Sequence, residues 1–410
     1  MDVALLDTQR AAQLRVLDRL PAGQQPPWHD HPELPRVRQE LAGMVPLVDQ
    51  DQIRKLRQLM SRVQHGAALL LHVGECAETF AMSTPVHVQS RIELYGRMAD
   101  HLADRTGRDV VVVARMAGQH AKPRSEPMEI LPSGELLPTY RGDAVNRAEP
   151  RAMARRADPA RLLASYYRSR DTLEMLRGRL VRGQRVFVSH EALVRDYETA
   201  LTRLAEESTA PSADTGAHYH WAQLFALSGH LLWIGDRTRQ LANWHVQWAS
   251  SVANPIGVKL GPGAAGTDVV NLARALNPRR EQGRLSLIPR IGAVAAAARL
   301  PDLVQAGLDI GVPIVWQCDP MHGNTRKLDR TKLRLLPDIR TEISTFVQTL
   351  RRLGCRPGGL HLEVTPEPVQ ECHEELALAV GSESHPPCDP RLNPSQAMDI
   401  VDHFANEIGD

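Results

Sequence analysis

The chain has 410 residues, 42% of them hydrophobic and 24% charged, with a formal net charge of +1. These values are ordinary for a soluble globular protein and leave room for one large domain or two or three small ones. A net charge so close to zero gives no argument for a nucleic-acid or membrane-surface partner, so anion binding has to come from locally concentrated charge.

The opening segment, MDVALLDTQRAAQLRVLDRL, carries acidic residues and no signal-like apolar core. No apolar run reaches the roughly 20 residues that span a bilayer, so a cytoplasmic protein is expected. Five scattered cysteines (Cys76, Cys318, Cys355, Cys372, Cys388) show no CxxC spacing, which fits a reducing compartment. Residues 1–66 read as a helical extension interrupted by QQPPWHDHPELP. Amphipathic patterns in ELPRVRQELAGM and DQIRKLRQLMSRVQ predict helices packed on the domain that follows.

From residue 67 to 410 the pattern predicts a single (β/α)8 TIM barrel. Eight short apolar runs are separated by helix-sized segments: LLLHVGEC, VVVVARMAG, VFVSHE, LLWIGDR, IGVKLGP, LSLIPR, IVWQCDPMH and GLHLEV. Continuous apolar runs suit strands buried on both faces, as in parallel sheets. The runs end at Cys76, Arg115, His190, Asp236 with Arg237, Lys259, Arg290, His322 and Glu363. Catalytic groups of such barrels lie at the C-terminal ends of the strands. After the second run, GQHAKPRSEPMEILPSGELLPTYRGDAVN is too long for an ordinary connection, and long loops of this kind carry function. Helices are predicted from Asp158 to Leu180, over SHEALVRDYETALTRLAEE, and for each later repeat. STAPSADTGAHYH reads as a flexible connection, and PEPVQECHEELALAV as a loop or helix before a final helix.

Cys76, His322 and Glu363 close runs one, seven and eight, which become neighbours when a barrel closes, and Asp389 lies in the next loop. A thiolate, an imidazole and two carboxylates suit a divalent first-row metal such as manganese, iron, cobalt or zinc. Read singly, the same residues are a small core thiol and a structural histidine. Arg115, Lys122, Arg124, Arg237, Lys259 and Arg290 are expected to converge on one mouth, where forks and point charges suit phosphate and carboxylate oxygens. Only five lysines stand against 44 arginines, which draws attention to Lys122 and Lys259. Trp233 reads as a packing residue and His190 as an orienting one. Cys388, beside Asp389, is expected near Cys76.

Taken together, GECAETF, RMAGQHAKPRS, TYRGDAVN, SHEALVRDYETALTR, WIGDRTRQL, ANPIGVKLGP, LIPRIGA, CDPMHGNTR, GGLHLEVT and CDPRLNP resemble the class II 3-deoxy-D-arabino-heptulosonate 7-phosphate (DAHP) synthases. The resemblance implies condensation of phosphoenolpyruvate with erythrose 4-phosphate at the start of the shikimate pathway; the alternative readings are a related synthase using a different aldose phosphate, as in aminoDAHP formation, and a catalytically idle homologue acting as a binding partner. It implies a divalent metal, manganese or cobalt, on Cys76, His322, Glu363 and Asp389. Arg115, Arg237, Lys259 and Arg290 would hold phosphoenolpyruvate, and Lys122, Arg124 and Ser125 the sugar phosphate. Lys259, Arg237, Asp236 and His322 are the expected catalytic groups. Phosphoenolpyruvate and an aldose phosphate are then the small-molecule partners, and a homo-oligomer, dimer or larger, is expected. The chain departs from the family pattern at Glu75 and Asp236, where aspartate and glutamate are usual, and each swap is expected to shift a water or the aldehyde. Its length resembles the short forms that serve specialised metabolism, for which weak feedback inhibition is expected.

Overall fold

The computed structural model describes residues 14–131, 133–208, 220–328, 331–379 and 388–409, together with Arg10 and Ala12. All eight apolar runs form parallel strands of one closed barrel: β1 (Ala68–Gly74), β2 (Asp109–Arg115), β3 (Phe187–Glu191), β4 (Leu231–Ile234), β5 (Ile256–Leu260), β6 (Leu285–Pro289), β7 (Val315–Cys318) and β8 (Pro357–Glu363). Each pairs with its sequence neighbour, and β8 pairs with β1 to close the cylinder.

The alternation of side chains along a strand sorts these runs into two cores. Leu69, Leu71, Val73, Val110 and Val112 join the outer core beneath the helices. Ala68, Leu70, Val111 and Val113 cluster instead with Leu56, Leu59, Met60 and Val63 of the helix Gln50–Gln64. That helix starts where the Asp49 side chain accepts the Asp51 amide, and it lays its apolar stripe across the N-terminal end of the barrel. The next layer of the interior is polar. His72 contacts Ser189 Oγ at 2.7 Å and His361 at 3.0 Å between Nδ1 atoms, and Trp233 packs edge-on to both imidazoles. Burial holds both histidines well below the usual imidazole pKa, so the layer is neutral.

One expected helix is absent. The segment after β3 forms only a short helix, Arg195–Ala200, and then a strand, Thr202–Ser208, paired antiparallel with His220–Ala226. Asp196 through Ala200 are all buried, and Glu198 is bonded to His190 Nε2 at 2.8 Å and to Ser228 Oγ at 2.6 Å. A helix enclosed on every side has no solvent face to continue along, and the chain pairs instead. The expected flexible connection falls, over 209–219, outside the described residues. The long segment after β2 carries a hairpin (Met128–Ile130 with Leu136–Pro138) before the helix Arg161–Leu176. Within PEPVQECHEELALAV, Cys372–His373 pairs as a short strand with Arg334 and Leu335. No helix of the described residues is long and apolar enough to cross a membrane.

The loops that follow β6 and β7 are held by one buried carboxylate. Glu342, on the helix Leu336–Arg352, accepts the amides of Ile291 and Gly292 at 2.8 and 2.9 Å and the Asn324 side-chain NH2 at 2.7 Å. Asn324 in turn accepts the Ala293 amide at 2.8 Å, so the start of the helix Ala293–Ile310 is capped from two sides.

Two predictions follow from this packing. Gly359 of β8 has φ +155, and a Cβ there would lie 1.9 Å from the Leu70 carbonyl oxygen on β1. Gly359→Ala should therefore cost about 3 kcal/mol or more, from backbone overlap plus strain, measured by urea unfolding. Glu342 is pushed up to about 7, chiefly by burial. A folded-state pKa above the ordinary 4.5 gives stability that is complete below pH 4.5 and is lost as pH rises through about 7. Glu342→Gln should flatten that decline in Tm across the interval, and a scanning-calorimetry series with an unchanged slope would contradict the assignment.

Candidate metal centre and active-site cavity

Barrel closure brings the four expected ligands together. Cys76 lies just beyond β1, His322 in a turn after β7, Glu363 at the end of β8, and Asp389 in the following loop, with one donor atom of each within 4.8 Å of all the others. His322 Nε2 is 2.9 Å from Glu363 Oε1, and Cys76 Sγ is 3.2 Å from Asp389 Oδ2. Cys388 packs with Cys76 and Ala77 in a small buried cluster.

Each donor is oriented by a second group. Asp319 lies 2.8 Å from His322 Nδ1, an arrangement that turns the Nε2 lone pair toward the other ligands. Arg334 Nη1 donates to Glu363 Oε2 at 2.7 Å, and Arg115 Nη2 to Oε1 at 3.2 Å. Lys332 Nζ donates to Asp389 Oδ1 at 2.7 Å. Burial by itself raises a carboxyl pKa, but His322 and Arg334 hold Glu363 well below the usual range. Lys122 leads in doing the same for Asp389. The Lys122 ammonium bonds both Cys76 and Asp389, a cation lodged among the ligand atoms. A set of sulfur, nitrogen and two carboxylate oxygens that draws in a cation fits a borderline-soft divalent ion.

A cavity of about 470 Å³ opens beside this set. Of the anion-binding candidates, Arg115 and Lys259 are buried at its inner end, Lys122 reaches in to the ligand atoms, and Arg290, Arg124, Ser125 and Arg237 are more open to solvent. Arg115 is buried, its Cζ 5.4 Å from the Trp233 ring centre, and its Nε and Nη1 have no protein hydrogen-bond partner among the described residues. Trp233 is thus more than packing: wedged between His72 and His361, it is the platform that holds a guanidinium with free donors. Lys259 Nζ lies 2.6 Å from Asp319 Oδ2 and 3.3 Å from His322 Nδ1. Burial lowers its pKa against the pull of Asp319. Arg290 donates to the His322 carbonyl at 3.1 Å. Arg237 Nη2 donates to Ser125 Oγ at 2.8 Å. Asp236 accepts the Gly261 amide at 2.9 Å and Arg239 Nε at 3.0 Å, which fixes it on the cavity wall.

One expectation fails. The Glu75 carboxylate does not line the cavity; it turns behind the ligands to Arg91 and Arg391. Several contributors escaped the sequence reading: Asp319, Arg334, Lys327 and Lys332. The scarcity of lysine was the available signal, because four of the five lysines in the chain (122, 259, 327 and 332) line this one cavity. Asp319 could have been found from its place at the end of β7, three residues before His322.

With this geometry in view, the similarities of the chain can be set out. A model of the Class-II DAHP synthetase family matches residues 12–184 and 178–405. The chain is 36% identical over 437 residues to the phospho-2-dehydro-3-deoxyheptonate aldolase of Streptomyces coelicolor, covering 93% of the chain and 94% of the relative. It is 38% identical over 396 residues to a probable phospho-2-dehydro-3-deoxyheptonate aldolase of Pseudomonas fluorescens, covering 94% and 95%. The first alignment is longer than the 410-residue chain, so the Streptomyces relative carries segments this chain lacks. Among solved structures, the phospho-2-dehydro-3-deoxyheptonate aldolase of Francisella tularensis matches with a TM-score of 0.55 at 13% identity, covering 95% of this chain and 98% of that one, a likeness of fold alone. Family match and identity both run along nearly the whole chain, and it belongs to the class II DAHP synthase family.

Proposed function

We propose that this chain condenses phosphoenolpyruvate with erythrose 4-phosphate and water to give DAHP and phosphate, with a divalent ion, manganese or cobalt, as cofactor. The observation that carries this reading is the meeting of a four-donor metal set with a lysine- and arginine-rich cavity at one barrel rim. Phosphoenolpyruvate, small and multiply charged, suits the guanidiniums of Arg115, Arg237 and Arg290, with Lys259 beside them. The sugar phosphate suits Lys122, Arg124 and Ser125.

In this reaction C3 of phosphoenolpyruvate bonds to the aldehyde carbon, whose oxygen takes up a proton. Water adds at C2 and loses a proton, the C2–O bond breaks, and phosphate leaves. A divalent ion on Cys76, His322, Glu363 and Asp389 supplies Lewis-acid polarisation of the aldehyde. The protein side chains do the rest. Arg115, fixed on Trp233, directs its unpaired donors at carboxylate or phosphate oxygens and holds the enol carbon in attack geometry. Lys259, its pKa lowered by burial and its ammonium paired with Asp319, is placed to give a proton to an oxygen developing negative charge. Asp236 keeps Arg290 nearby, with Oδ2 3.6 Å from Nη1.

Asp236 keeps a second aldehyde, such as an amino or imino sugar phosphate, in contention, because it lies on the cavity wall with a shorter side chain than the family pattern. We assign the chain to a specialised pathway with weak aromatic feedback, on the ground of its shortness beside its longer relative. Five free cysteines fit cytoplasmic residence, and a homo-oligomer is the expected assembly.

Metal-replete protein should consume both substrates and yield DAHP by mass spectrometry; failure to consume erythrose 4-phosphate while another aldose phosphate is turned over selects the second aldehyde. Chelation should abolish turnover and added Mn2+ or Co2+ should restore it. Arg115→Ala should lower kcat/KM about a hundredfold or more, as removal of one transition-state donor does. Arg115→Lys should remain impaired because a point charge cannot reproduce the fork, and full activity in steady-state assays of that variant would contradict the role given to it.

A further inference from the structure

Behind the ligand set, on the side away from the cavity, lies a buried ionic cluster that the chemistry above does not use. Glu75 immediately precedes Cys76, and Arg391 follows Asp389 by two residues. Glu75 Oε2 accepts from Arg391 Nη1 at 3.0 Å, and Oε1 accepts from Arg91 Nη2 at 3.1 Å. Arg391 also closes a fork on Glu371 (2.8 and 3.1 Å), and Glu371 accepts the Arg391 backbone amide at 2.7 Å. Arg91 is 3.6 Å from Glu78, which accepts the amides of Gly118 and Gln119. All five side chains are buried.

The charges do not balance. Glu78 faces Arg91 and Glu371 faces Arg391, with the half-exposed Glu367 3.8 Å from Arg391, so among the buried groups Glu75 is surplus. A surplus buried carboxylate is costly. Its contacts show what it contributes: among the described residues it is the one carboxylate bonded to both guanidiniums. Arg91 stands on the helix Pro85–Thr106, beside the loop of Cys76, and Arg391 stands on the loop of Asp389. Cys76 and Asp389 both lie in irregular backbone; Leu392 pairs with β8 through its backbone, and the Glu75–Arg391 pair adds a direct side-chain tie between the two loops.

We propose that Glu75 is a further positioning residue of the metal centre, bridging Arg91 and Arg391 so that the Cys76 and Asp389 loops present their donors at one point. The proposal rests on the metal reading given above. Its surplus negative charge also adds to the local attraction for a cation. Groups that orient metal ligands from behind typically change affinity 10–100-fold when replaced.

The test is a Co2+ titration of the full-length, metal-free protein without substrates, followed by the thiolate-to-cobalt charge-transfer absorption. Cys76→Ser identifies the site by abolishing the band. Glu75→Gln leaves one acid for each arginine and is expected to fold, with unchanged far-UV circular dichroism, yet to bind Co2+ about 10–100-fold more weakly. Glu75→Asp, too short to span both partners, should fall between. If Glu75→Gln does not fold, Arg391→Lys, which keeps the charge but cannot fork, should show the same loss. Folded variants that bind Co2+ as tightly as the unaltered protein overturn the tie and leave the metal site standing. Absence of the band in the unaltered protein overturns the metal reading and this proposal with it.

Discussion

A single buried carboxylate, that of Glu363, is the constraint on which the upper end of the barrel depends. It has no exposure to solvent, so both oxygens need cationic or donor partners from inside the protein. Those partners come from three other segments: Arg115 at the end of β2, His322 beyond β7, and Arg334 on the strand that precedes the helix Leu336–Arg352. Satisfying one side chain therefore fixes the relative placement of four pieces of chain. Removing one partner of such a buried pair commonly costs about 3–5 kcal/mol. Arg115, which lines the cavity, and His322, one of the four clustered donors, are joined through this residue.

The interior is graded along the barrel axis. At the N-terminal end it is apolar and closed by the helix Gln50–Gln64. Midway it holds two neutral imidazoles, a hydroxyl and an amide, and at the C-terminal end it is densely ionic. The neutral layer separates charge from hydrocarbon without adding charge of its own. It also gives Trp233 firm edges to lie against, and through Trp233 it determines how Arg115 is presented.

Much of this was legible from the sequence because burial leaves a strong mark. Eight runs such as DVVVVAR and GLHLEV are too apolar for exposed loops and too short for helices, and they named the strands and the residues that end them. The SHEALVRDYETALTRLAEE segment misled because its helical spacing is real, yet its residues are enclosed on all sides and its second half pairs with HWAQLFA. That outcome depends on a partner 18 residues further on, which local periodicity does not encode. Glu75 was legible as a departure but not in direction, since whether a carboxylate faces a substrate or a guanidinium is settled by what packs behind it. Asp319 and Arg334 act by orienting other residues, and such roles leave no spacing signature.

The filled polar layer midway along the barrel has a kinetic corollary. That layer is the floor of the cavity, which has Arg124, Ser125 and Lys327 toward solvent and the buried Arg115 and Lys259 at its inner end. Two molecules sharing such a cavity cannot pass each other. Were two small molecules to bind as proposed above, the one against Arg115 would enter first and its remnant leave last, because the filled layer of His72, Trp233 and His361 gives it no way out below.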